Sequence, residues 1–242
     1  MQKCIQYIIS MKTDEVVCYM RINISSNIQE QVYKALKNDI LYGVLEPGTQ
    51  LKELELSEIY GVSRSPIREA LRRLCGDGLV ELKPNCGISV RVFTEEYVED
   101  ILDMRILLEG CGMERMCTVG MTAEEKEELL FLRDQVIKAI RDCDSIELPE
   151  HMNIDTRLHC LFNSFNHNQV MTETWQRIVP VNVVVQRISL NRDARALQSQ
   201  EEHLKIIESL LNKDFEAANE MNKLHLKHTQ EHVERALKEK KK

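Results

Sequence analysis

The chain has 242 residues, 29% of them charged, and a formal net charge of −7. That length suits two domains with separate cores. The acidic balance argues against a protein that coats nucleic acid indiscriminately. The eight cysteines form no C-x-x-C pair, so neither a disulfide frame nor a cysteine zinc site is expected. No apolar run approaches the roughly 18 residues of a membrane span, and no long apolar segment marks a signal peptide. A cytoplasmic protein is expected. The halves differ. Residues 1–92 hold 12 Lys/Arg against 11 Asp/Glu, and the remainder holds 20 against 28. All seven histidines lie beyond residue 150, so chemistry that needs imidazole belongs to the second half.

Residues 1–26 carry no clear period and are read as an N-terminal extension, flexible by expectation, ahead of a first domain at 27–93. From Asn27, Ile28, Val32, Leu36 and Ile40 step by four and predict an amphipathic helix ending near Gly43. Pro47-Gly48 suits a type II turn, and Glu53 to Tyr60 reads as a short second helix. Gly61-Val62 then makes a tight corner. Ser63 or Ser65 can cap a third helix, and Pro66 fits its first turn. Ile67, Ala70, Leu71 and Leu74 give that helix a buried stripe, while Arg64, Arg68 and Arg72 line another face. After Gly76-Asp77-Gly78, two strand-like runs, Leu79 to Lys83 and Ile88 to Phe93, flank Pro84 to Gly87 as a hairpin. An arginine row alone is equally a solvated helix face. The order of corner, cap, row and hairpin instead predicts a winged helix-turn-helix, whose third helix would enter a DNA major groove.

Residues 94–242 read as an all-α antiparallel bundle of about six helices. Thr94 caps the first, which runs to about Val119. Thr122 and Glu125 form a capping box for the next, with Leu129, Leu132, Val136 and Ile140 inside. Pro149 opens a third. Val170 to Ile178 is a fourth, which Pro180 kinks or breaks before Val181 to Leu190. Ala196 to Leu211 and Asp214 to Leu237 close the chain. Asp155 and His159 share one helix face, His203 follows 44 residues on and His225 another 22 on. One carboxylate and three imidazoles can bind a divalent transition metal. Each histidine is equally a hydrogen-bonded core residue, and Asp155–His159 a surface pair. His151 and His167, near helix ends, are expected to be exposed, as are His228 and His232 on the solvated face of the last helix.

Residues 43–51 (G-V-L-E-P-G-T-Q-L), 56–74 (L-S-E-I-Y-G-V-S-R-S-P-I-R-E-A-L-R-R-L) and 84–90 (P-N-C-G-I-S-V) resemble the DNA-binding domain of GntR-type bacterial transcription regulators. The resemblance implies that Arg64 and Arg68, with Arg72 in their row, face a double-stranded operator. It implies that Ser63 and Ser65 touch phosphate and that Gly87 lets the wing tip approach the minor groove. Cys86 stands where the family often has arginine. D-T-R-L-H (155–159), F-N-H-N (165–168), S-Q-E-E-H-L-K-I-I-E-S-L (199–210) and A-A-N-E-M-N-K-L-H (217–225) resemble the FCD ligand-sensing domain of the FadR subgroup. From that resemblance Asp155, His159, His203 and His225 would hold zinc, nickel or a similar ion. Arg105 would meet a small organic acid effector; alternatively it is a surface salt bridge to Glu109. A homodimeric repressor on a palindromic operator is expected. The alternative is a metal-dependent hydrolytic enzyme fused to a DNA-binding module. Against it, there is no H-D dipeptide, no H-E-x-x-H, and no acid beside the ligands that stands out as a general base.

Overall fold

The computed structural model describes residues 7–11, 16–20, 27–84, 87–142, 148–190 and 193–239. It divides into two compact units, Met1–Phe93 and Thr94–Lys242. Among the described residues the fold is mostly helical, with two antiparallel strand pairs and three helices in the first unit and six helices in the second.

In the first unit, β1 (Tyr7–Met11) and β2 (Val16–Met20) pair antiparallel, Tyr7 opposite Met20. No element was expected there. The signal lay in composition rather than period, since both runs are rich in β-branched and aromatic residues. Helix α1 (Ile28–Leu41) is capped by Asn27, whose side chain accepts the Glu30 N–H. Thr49 N–H bonds to Glu46 across Pro47-Gly48, and Gly48 takes φ +87°, as the predicted turn requires. Helix α2 (Glu53–Tyr60) ends on Gly61 at φ +66°, and α3 (Arg64–Gly76) follows at once. Ser63 occupies the N-cap position of α3 without a side-chain cap bond. Val32, Leu36, Leu56, Ile67, Leu71 and Leu74, each at most 3% exposed, close the core of the three helices.

Strands β3 (Val80–Lys83) and β4 (Gly87–Val90) form the wing hairpin. They are shorter than expected, and Thr49–Leu51 lies along the other edge of β4. Thr49 accepts from Val90 N–H, and Leu51 N–H donates to Ile88. Asn85 and Cys86, the wing tip, lie outside the described residues.

The second unit contains α4 (Glu95–Thr118), α5 (Ala123–Arg141), α6 (Leu148–Ser164), α7 (Gln169–Leu190), α8 (Asp193–Leu211) and α9 (Phe215–Glu239). Thr94 caps α4, and Thr122 with Glu125 completes the capping box of α5. Helix α7 runs through Pro180 without a break. Pro180 removes one ladder bond, but Trp175, Ile178, Val181, Val184 and Val185 keep a buried face continuous on both sides. Helix α4 packs on α6 and α9, α5 on α8, and α8 on α9. Met113, Leu132, Leu158, Phe162 and Ile206 are among the residues that fill the core between them. Among the described residues no helix is long and apolar enough to cross a membrane.

Candidate metal centre and nucleic-acid face

Asp155 and His159 project from α6, His203 from α8 and His225 from α9. Their ligand atoms lie within 4.8 Å of one another, and all four residues are buried. His159 Nε2 and His203 Nε2 each stand 3.5 Å from an Asp155 oxygen. The ring centroids of His203 and His225 are 4.5 Å apart. Asp155–His159 is therefore not a surface pair.

The partners behind the histidines fix which nitrogen faces inward. His159 Nδ1 lies 2.9 Å from Glu109 Oε2 and His225 Nδ1 lies 2.8 Å from Glu202 Oε2. An ionised carboxylate can only accept, so each Nδ1 carries the proton and each Nε2 is left with its lone pair. Burial pushes the Glu109 carboxyl up, but Arg105 and His159 outweigh it and hold it at about 2. Burial, with neighbouring positive groups, pushes His203 and His225 well below the usual imidazole range, so both are neutral. Burial also raises the Asp155 carboxyl. His159 Nε2 and His203 Nε2 are buried with no hydrogen-bond partner among the described residues. Buried polar atoms without partners are costly. His203 Nδ1 lies 3.4 Å from Gln200 Oε1, an acceptor, which leaves its Nε2 with a lone pair as well. Two orphaned lone pairs beside a carboxylate are what a bound cation would satisfy, so the residues fit a divalent metal.

Arg105 is only 1% exposed. Its Nε donates to Glu109 Oε1 at 2.7 Å and its Nη1 to Asn182 at 2.6 Å, while Nη2 has no partner. The i, i+4 pair with Glu109 exists, yet it is buried rather than a surface bridge. Three further expectations are corrected. His151 is 2% exposed, within 3.4 Å of Gln200, and burial lowers its pKa. His228 is half-buried and bonds Glu202 at 2.6 Å. His232 is likewise half-buried, against the His228 carbonyl. Glu109 and Glu202 each hold a ring from behind. His167 is exposed as expected.

The sequence reading also missed Gln186, which donates to Asp155, and Arg195, which pairs with Glu202 at 2.8 Å. A signal was available for α8. Arg195, Ser199, Glu202 and His203 recur at helical spacing beside the apolar Ala196, Ile206, Ile207 and Leu210, a polar stripe on a core-facing side.

In the first unit, Ser63, Arg64, Ser65, Arg68, Arg72 and Gly87 are all exposed. Arg64, Arg68 and Arg72 stand opposite the buried stripe of α3. Arg68 is held side-on by Glu53, Nε at 2.8 Å and Nη2 at 2.7 Å. Arg72 pairs with Glu69 on its own helix. Gly87 takes φ +79° at the start of β4. A cleft between the starts of α1 and α3 is lined by Ile28, Gln29, Val62, Ser63, Ser65 and Pro66.

Two family models match the chain. "Bacterial regulatory proteins, gntR family" covers residues 28–90, and "FCD domain" covers 100–228. An uncharacterized HTH-type transcriptional regulator of Bacillus subtilis, YdhC, is 32% identical over 86% of this chain and 92% of its own. The Escherichia coli HTH-type transcriptional repressor RspR is 26% identical over 88% and 92%. A crystal structure of a GntR regulator from a Rhodococcus species superposes with a TM-score of 0.71 at 21% identity, covering 85% of this chain and 96% of that one.

Proposed function

This chain belongs to the GntR family of transcription regulators, its carboxy-terminal half being an FCD domain, and on that footing we propose a repressor switched by a small organic acid. The family is one of regulators rather than enzymes, which decides against the hydrolase alternative. A homodimer sets two copies of α3 on a palindromic operator, since twofold proteins match twofold sites. Arg64, Arg68 and Arg72 meet the DNA, Ser63 and Ser65 bond phosphate, and Gly87 lets the wing approach the minor groove. The observation that carries this is the exposed arginine row on a helix whose opposite face is fully buried.

Asp155, His159, His203 and His225 hold a divalent transition metal, zinc or nickel, a choice that suits three imidazoles and one carboxylate. When bound, such an ion supplies a Lewis-acidic anchor for a carboxylate oxygen. Arg105 adds the unpartnered Nη2 donor to that anchor, a charge-assisted bond. That RspR is called a repressor supports the direction of control.

Selection of bound fragments from random DNA tests the first half. An inverted repeat should emerge, and an organic acid from a panel should release it. Recovery of unrelated sequences would sink the operator proposal. Elemental analysis tests the second half. Purified wild type should carry about one metal ion per chain and His203→Ala far less; a metal-free wild type refutes the site.

A further inference from the structure

Two ion-paired relays flank the converging ligands, in the same order. Arg105 donates to Glu109, whose other oxygen receives His159 Nδ1–H. Arg195 donates to Glu202, which receives His225 Nδ1–H. With Asp155 added, the described interior of the bundle sets two guanidinium groups against three carboxylates, none more than 5% exposed. A nitrogen that ligates a cation carries no proton, so the rings of His159, His203 and His225 are all neutral once a metal is held. The buried set therefore has one excess negative charge, and a dication turns it into one excess positive charge. Uncompensated interior charge is disfavoured.

Resting on the effector proposal above, we infer that the metal-loaded bundle is charge-matched to a single monocarboxylate and discriminates against dicarboxylates of the same size. The unpartnered atoms agree with this. Arg105 Nη2 suits one carboxylate oxygen. Ser199 Oγ, one turn before His203, and Asn222 Oδ1, three residues before His225, are buried, partnerless and neutral. Asn222 Oδ1 can only accept, so it suits a hydroxyl group and not a second carboxylate, while Ser199 Oγ can bond either. Arg195 Nε is also unpaired, but that guanidinium is already matched by Glu202 and bonded to Thr229. His228, on the outer side of Glu202, and His232 are further titratable neighbours of that relay.

The test is calorimetric titration of the metal-loaded full-length protein at pH 8, above the ordinary imidazole range. Lactate and glycerate are compared with malate and tartrate. The monocarboxylates should bind at least about tenfold more tightly, the order expected when a buried charge goes unmatched. Dicarboxylates that bind as well or better overturn the charge match and leave a carboxylate effector standing. No binding of any of the four, with metal present by elemental analysis, removes the carboxylate effector and this inference together. Glu202→Gln deletes one buried negative charge. In a variant that keeps its metal and its circular dichroism, preference should swing towards malate, and an unchanged preference counts against the charge match. Should the variant lose its metal, the wild-type comparison decides alone.

Discussion

At the scale of single residues, Asp39 makes a pH prediction. It is buried on α1 and accepts the Tyr60 hydroxyl from α2. Burial raises its carboxyl from the usual 3.8 to about 6, against the smaller lowering by Tyr60. Between those values the unfolded chain gives up the proton before the folded one does. The contribution of Asp39 to stability is therefore highest below about pH 4, falls as pH rises, and levels off above about 6, by about 2–3 kcal/mol. Denaturant unfolding of wild type and Asp39→Asn from pH 4 to 8 should show this slope in the difference between the two curves, because Asn keeps the acceptor and cannot ionise. Parallel curves would mean that Asp39 does not titrate as described. Arg68 makes a second prediction. Glu53 occupies its Nε–Nη2 edge and leaves the Nη1 end open. If that end reads a base edge, Arg68→Ala should weaken operator binding about ten- to a hundredfold while random DNA loses far less. Equal losses on both would make Arg68 a phosphate contact.

At the scale of elements, most of the helices were legible because caps and apolar periods agreed. Helix α2 was expected at Glu53–Tyr60 and lies there. The capping box of α5 was read from Thr122 and Glu125, and both of its bonds are present. What failed were places where tertiary packing overrides local preference. Pro180 reads as a kink or a break, and α7 continues through it unbroken, because its buried face lends both sides support that no local window reveals. His151 reads as exposed near a helix end, yet α8 covers it through Gln200. One close approach has a measurable consequence. A Cβ at Gly112 of α4 would lie 1.9 Å from the Phe162 carbonyl oxygen of α6. Backbone cannot rotate away as a side chain can, so Gly112→Ala must push the two helices apart, at a cost of about 1–3 kcal/mol or more. Phe162 lies one turn beyond His159, so metal affinity should fall together with the melting temperature. At Gly110 the added Cβ meets only the Asn219 side chain at 3.1 Å, and Gly110→Ala should do much less. Equal effects at the two glycines would show that the close α4–α6 approach is not limiting.

At the scale of the whole molecule, the four converging residues of the candidate metal centre were legible as residue types at spacings, and their resemblance to a sensing domain tied them together. The two relays behind them were not. Glu109, Arg195 and Glu202 look like ordinary helix charges until α4, α8 and α9 are packed, and only burial distinguishes them from solvated pairs. That difference bears on regulation, since a ligand shifts a protein only by binding one arrangement better than another. If a carboxylate bound beside the metal weakens operator binding, the coupling is of the order of about 1–3 kcal/mol, roughly 5- to 150-fold. Linkage requires the reverse effect to be equal. Protein saturated with operator should bind the carboxylate more weakly by the same factor that the carboxylate lowers operator affinity. Paired titrations measure both: fluorescence anisotropy of labelled operator with and without carboxylate, and calorimetry of carboxylate with and without operator. Removing the metal with a chelator should abolish both shifts together, because the carboxylate then loses its anchor. Operator release by a carboxylate whose own affinity is indifferent to operator would mean that the acid acts by another route, such as competing for the arginine face of α3. In that case release would persist after the metal is stripped and would weaken steeply with added salt.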